Sequence, residues 1–225
     1  VPAPEIRELA PPTVRFPKNR HNYRFVPGKH RLEDLPMLLE EGVPSFRERS
    51  GLVVCNTKRS AYDVWRTLRE KLPGEIVLFL SRAQAPRHRA RVLRYLRLLE
   101  HRGLRHFLVS TQVVEAGVDL DFDWVFRDLG PLDSVVQAAG RCNRHASEEK
   151  TGHVMVAELK GEEARRPFCE YVYSSTLLAA TRHRLSSVET FDEGAVSSLV
   201  EAYYRDVEDR TLPSPDLWKG GIEEG

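Results

Sequence analysis

From Gly51 onward the chain alternates short apolar runs with stretches of helical spacing. The runs Leu52–Cys55, Ile76–Leu80, Phe107–Val109, Trp124–Phe126 and Val154–Ala157 are nearly unbroken. Unbroken runs suit strands buried on both faces of a mainly parallel sheet, where a half-exposed strand would alternate. Helical spacing fills 60–71, 87–102 and 134–140, and returns at 162–184 and 194–207. The alternation predicts an α/β fold, a doubly wound and mainly parallel sheet with helices on both faces. Crossovers in such folds are right-handed, and ligands sit at the carboxyl ends of the strands.

The flanks read differently. Pro2, Pro4, Pro11, Pro12, Pro17, Pro27 and Pro36 crowd the start, which opens on Val1 rather than Met and reads as an excised piece. Such proline density predicts an extended arm, with a short helix at Leu32–Leu39 as its one regular candidate. From Glu189 to the end ten acids face three basic residues, a local charge of −7, with Leu199, Ala202 and Tyr203 at helical spacing. The division predicted is therefore a proline-rich N-terminal arm or linker at 1–50, the sheet domain at 51–188 and a helical acidic C-terminal appendage at 189–225.

Composition narrows the class. Hydrophobic residues make up 41% of the 225 residues and charged ones 30%, values of a globular chain and not of a disordered or fibrous one. No apolar run approaches the roughly 18 residues of a membrane span. Cys55, Cys142 and Cys169 form no CxxC pair, which argues against a disulfide framework or zinc knuckle and for a reducing, cytoplasmic setting. The eight histidines show no HxxxH or HExxH spacing, so no metal site is expected. The net charge of +1 hides a segregation: eight arginines against Glu100 between Arg82 and His106 give +7. That segment predicts a helix with Val92, Leu96 and Leu99 inward and Arg87, Arg91 and Arg94 on another face, either a phosphate-tracking surface or a solvated amphipathic helix.

Two further segments carry chemistry. In Gln137-Ala-Ala-Gly140-Arg141-Cys-Asn143-Arg144, helical spacing puts Gln137, Gly140, Arg141 and Arg144 along one face. Gly140 lets a backbone or phosphate come close. A guanidinium fork that stays charged suits the charge spreading over a transferring γ-phosphoryl group. Upstream, Ser110-Thr111-Gln112 ends a strand and Glu115-Ala116-Gly117-Val118-Asp119 follows. Hydroxyls at a strand-to-helix handover are placed to hold a nucleic-acid phosphate. Asp119 is positioned to accept from a ribose hydroxyl or from an arginine. Taken singly, each of these residues also reads as a cap or a helix-terminating glycine.

The order Val53-Val54-Cys55-Asn56-Thr57, Ser81-Arg82 with Pro86-Arg87-His88-Arg89-Ala90, Ser110 to Asp119, then Gln137 to Arg144 resembles motifs IV, IVa, V and VI of superfamily 2 helicases. The last two blocks are most similar to the second RecA-like lobe of the CRISPR-associated helicase-nuclease of type I systems, over roughly 50–185. The resemblance implies a RecA-like lobe in which Arg141 and Arg144 reach the γ-phosphate of ATP and Gln137 orders them. Gly117, Asp119 and Gly140 would complete the nucleotide side. Asn56, Thr57, Ser81, Arg82, Ser110, Thr111 and Gln112 would line a single-stranded DNA track. The family usually has His before the Ser81-Arg82 pair and an aromatic after it, where this chain has Leu80 and Ala83.

The sequence holds no GxxxxGK[ST] loop, no DExH-type acidic box and no His-Asp nuclease pair. The resemblance therefore implies that ATP is shared with a first RecA-like lobe carrying the phosphate loop and acidic box, which also holds magnesium. It further implies an RNA-guided surveillance complex and a His-Asp nuclease domain as partners. Two other readings stay open: a non-catalytic nucleic-acid or protein-binding adaptor of RecA-like shape, and a lobe of another superfamily 2 motor.

Overall fold

The first element is a strand where an arm was expected. A computed structural model describes residues 20–115, 119–145 and 150–211, and β1 (His21–Arg31) lies inside its sheet. His21, Tyr23 and Phe25 point inward while Asn22 and Arg24 point out, the period-2 pattern of a strand with one open face. The prolines masked it, because Pro27-Gly28 falls in the middle of the strand. There the pairing slips between Val26 and Lys29 and Gly28 takes φ +96°, a bulge that tolerates proline and requires a residue without Cβ. Downstream, η1 (Leu32–Asp34) and α1 (Leu35–Gly42) occupy the helix position expected at 32–39.

The remaining strands are β2 (Gly51–Val54), β3 (Val77–Leu80), β4 (Phe107–Ser110), β5 (Trp124–Asp128), β6 (Gly152–Lys160) and β7 (Thr190–Asp192). Their order is β3-β4-β2-β5-β6-β1-β7. All pairs are parallel except β1 with β7. The lines at 50/51 and 188/189 thus cross one hydrogen-bonded sheet, in which Tyr23 of β1 stacks on Phe191 of β7 at 4.6 Å between ring centroids.

Successive strand residues face opposite layers, so two cores form. Val53, Val109, Trp124 and Met155 pack under α1 and α2 (Lys58–Lys71). Val54, Leu108, Val125 and Val154 pack under α3 (Pro86–His101), α4 (Leu132–Ala139), α5 (Ser175–Ser186) and α6 (Glu193–Thr211). The long helix expected at 162–184 is replaced by a short turn at Phe168–Tyr171 and by α5. Pro167 precedes the turn, and Ser174 caps α5 by accepting from Leu177 N–H.

The β3 edge is closed by side chains. The Val77 and Phe79 carbonyls, which face away from β4, accept from Trp65 Nε1 at 3.1 Å and Gln84 Nε2 at 3.2 Å. A strand so capped offers little to an added strand. The opposite edge, β7, is three residues long.

Candidate functional site

The arginine segment does not continue as a helix. α4 stops at Ala139, and Gly140 is its C-cap at φ −60°, ψ −5°. Phe122 N–H then donates to Arg141 O at 3.0 Å and Asn143 N–H to Phe122 O at 2.8 Å, with Asn143 at φ +42°. This main-chain clasp turns the backbone, so Gln137, Gly140, Arg141 and Arg144 do not share the helical face that their spacing predicted. Gln137 is exposed on α4 and bonds neither arginine among the described residues. Among the described residues a Cβ on Gly140 would meet only its own helix within 4 Å, its nearest neighbour being Gln137 O at 3.3 Å, so no other described element uses the approach that the glycine was expected to permit.

The clasp also fixes where the arginines sit. Phe122 leads into β5, so the backbone of the turn is held beside the amino end of that strand, while the Arg141 side chain reaches Glu115 beyond the carboxyl end of β4. Arg141 Nη2 donates to Glu115 O at 2.9 Å, and its buried Nε has no hydrogen-bond partner among the described residues. Arg144 Nε lies 3.0 Å from Asp119 Oδ1, with side-chain exposures of 37% and 71%, and its N–H donates to Asp121 Oδ1 at 2.8 Å. An exposed pair of this kind contributes about 0–1 kcal/mol. Arg144 is therefore cheaply released to another anion. Gly117 lies outside the described residues.

A cavity of about 310 Å³ adjoins this turn, with Glu100, His106, Asp121, Asp123, Asn143 and His145 in its wall. Burial and then Asp121 hold the Glu100 carboxyl above its ordinary range, while burial lowers His106.

At the carboxyl ends of the strands, several candidate side chains are engaged internally. Buried Asn56 donates from Nδ2 to Leu129 O at 2.7 Å and accepts at Oδ1 from Arg127 Nη1 at 2.7 Å. Thr57 caps α2, its Oγ1 accepting from Ser60 N–H at 3.0 Å in a reciprocal box. Ser110 Oγ donates to Leu80 O at 2.9 Å, and Ser81 Oγ accepts from Ala83 N–H at 3.3 Å. These four build the turns. The groups left to face a ligand are Arg82, exposed and unpaired among the described residues, and the side-chain amide oxygen of half-buried Gln112, while Thr111 beside it is buried.

Sequence reasoning missed what joins the two regions. Arg127 is fully buried in β5, its Nε 3.1 Å from Glu115 Oε1 and its Nη2 donating to Tyr173 Oη at 3.0 Å. Gln112 Nε2 donates to the same hydroxyl at 3.1 Å and to Asn56 O at 3.0 Å. Burial raises the Glu115 carboxyl, with Arg127 opposing. The available signal was Arg127-Asp128 ending an apolar strand, since a charge there must be paired inside the fold.

A mainly parallel sheet of this order, with helices on both faces, is a RecA-like fold. Within that class the chain groups with the C-terminal helicase lobe of Cas3: the family model for CRISPR-associated nuclease/helicase Cas3, C-terminal, matches residues 47–147. The Cas3 endonuclease/helicase of Thermus thermophilus is 30% identical over 207 residues, covering 81% of this chain and 22% of that protein. That of Haloferax volcanii is 46% identical over 74 residues, covering 29% of this chain and 8% of that protein. The crystal structure of T. fusca Cas3 with ATP superposes with a TM-score of 0.70 at 24% identity, over 92% of this chain and 26% of that one, a likeness of fold. The chain thus spans about a quarter or less of the length of these relatives. Among the described residues no helix is long and apolar enough to cross a membrane.

Proposed function

We propose that the chain is the second motor lobe of an ATP-dependent single-stranded DNA translocase acting in CRISPR interference. In this reading Arg141 and Arg144 complete an ATP site whose phosphate loop, acidic box and magnesium belong to a first lobe. The observation that carries it is the arginine turn, with Arg144 in a weak exposed pair to Asp119 and Arg141 only partly satisfied. On closure of the lobes, Arg144 exchanges Asp119 for the γ-phosphate, where a guanidinium stabilises the charge of phosphoryl transfer. T. fusca Cas3 has been crystallised with ADP, AMPPNP and ATP, which supports a nucleotide at this interface.

Arg82 and Gln112 are then the strand contacts, with Asn56, Thr57, Ser81, Ser110 and Thr111 shaping the turns that present them. The bonds Arg141–Glu115–Arg127–Tyr173–Gln112 run from the nucleotide flank to the strand surface. A shift of Arg141 on phosphate binding has a continuous polar route to Gln112, and this is how hydrolysis and strand grip are coupled. A relative resolved in an RNA-guided surveillance complex before nicking supports recruitment to such a complex, with a nuclease domain elsewhere in the same enzyme.

Co-expression with the polypeptide that carries the phosphate loop, followed by an ATPase assay, tests the reading. The expected result is no hydrolysis by this chain alone and hydrolysis by the pair that single-stranded DNA stimulates. A pair indifferent to this chain would favour the adaptor.

A further inference from the structure

Helix α3 carries a charged stripe that neither the sheet nor the arginine turn uses. Arg87, Arg91 and Arg94 stand one helical turn apart on the face opposite Leu96 and Leu99, and Arg97 and Arg102 continue the exposed surface. Arg82, Arg87, Arg91, Arg94, Arg97 and Arg102 have no side-chain hydrogen bond or salt bridge among the described residues. By contrast, Arg105 pairs with Glu75 and Arg89 holds backbone carbonyls. The first turn of α3 holds no acid, so its basic residues oppose the helix dipole as well as one another. A helix that merely covered the sheet would carry neither cost.

The stripe begins at the proposed strand surface. Arg89 Nη1 donates to Gln84 O at 2.8 Å and to Arg82 O at 3.2 Å, fastening the amino end of α3 to the loop after β3. From Arg87 to Arg102 the helix rises roughly 22 Å. Tyr95 and Leu98, both exposed, border the row and offer apolar faces to bases.

We infer that α3 is a second landing surface for the phosphodiester backbone of a single strand, continuing the path that starts at Arg82 and Gln112. This rests on the nucleic-acid reading above and adds a surface to it. The test is fluorescence anisotropy of labelled oligothymidine with the whole chain at a series of salt concentrations. Neutralising three phosphate contacts in an R87Q/R91Q/R94Q variant is expected to make the slope of log K against log salt shallower by about 2, since each single-strand contact contributes ~0.7. An R87K/R91K/R94K variant is expected to keep the wild-type slope. The glutamine variant is expected to melt at or above the wild-type temperature, because it relieves repulsion among exposed charges, and the lysine variant, which keeps those charges, close to it.

Wild-type slope and affinity in the glutamine variant would overturn the inference while leaving the motor reading intact. A slope change with a duplex and none with the single strand would overturn it in favour of duplex recognition. No binding by the wild-type chain at any salt concentration would overturn both.

Discussion

Gly51 shows how tightly single residues are held. A Cβ there would stand 1.9 Å from the ring of Trp124, the neighbour across the β2–β5 pair, so Gly51→Ala has to displace a fully buried indole. A loss of about 1–3 kcal/mol is expected, read as a lower midpoint in thermal or urea unfolding; an unchanged midpoint would refute the packing. Asp128 gives a pH signature. Burial lifts its carboxyl to about 7, against the Leu159 N–H, Arg127 and the Asn56 N–H, which all favour the charged form. An unfolded chain releases that proton near pH 4. Between about 4 and 7 the native state keeps a proton that the unfolded state lacks, so this contribution to stability is complete below about 4 and lost as pH rises to about 7. Asp128→Asn is expected to flatten that part of the stability profile by up to about 1.4 kcal/mol per pH unit. Parallel profiles in urea titrations would refute it. At this scale the sequence offers candidate side chains, Arg141 and Arg144 above all. Their surroundings were not: the partners Asp119 and Glu115 lie 25 and 26 positions away, and the Phe122 clasp that aims both side chains comes from another element.

Among elements, what the sequence shows and what it hides follow from which forces are local. β2 to β6 were legible because burial on both faces leaves unbroken apolar runs, and the starts of α2 and α3 sit where a capping threonine and a proline mark them. β1 was hidden because Pro27-Gly28 imitates a linker, although it makes a bulge; only the β6 and β7 partners reveal the strand. The end of α4 was legible, since Gly140 follows Ala139 and caps the helix, whereas the turn beyond it was hidden because pairing with Phe122 imposes it. The hydroxyl of Tyr173 bridges Arg127 and Gln112, so Tyr173→Phe cuts the proposed coupling route and keeps the ring. The expected outcome in a two-lobed enzyme is an ATPase that persists but loses most of its stimulation by single-stranded DNA, with about 1 kcal/mol of stability lost. Undiminished stimulation would show that the two surfaces communicate by another route.

For the whole molecule, the two flanks that composition set apart meet beside the last parallel strand. His21 of β1 bonds both the Cys142 carbonyl and Glu193 of α6, so the first strand, the arginine turn and the last helix share one junction. Removing residues after 188 would bare Tyr23 and Phe25 and take away Tyr203, all of them core residues. Such a truncation is expected to aggregate or melt far below the whole chain in a solubility and thermal-shift comparison. A truncated chain as stable as the full one would separate the appendage from the lobe after all. Beyond the fold stands the claim that this lobe reaches across to finish another's ATP site. Its most direct test is the steady-state ATPase of the complete two-lobed enzyme carrying Arg144→Ala, with single-stranded DNA saturating. A fall in kcat of about 10³ to 10⁵ at unchanged thermal stability is expected of an arginine that meets the γ-phosphate. A near-normal rate would contradict it.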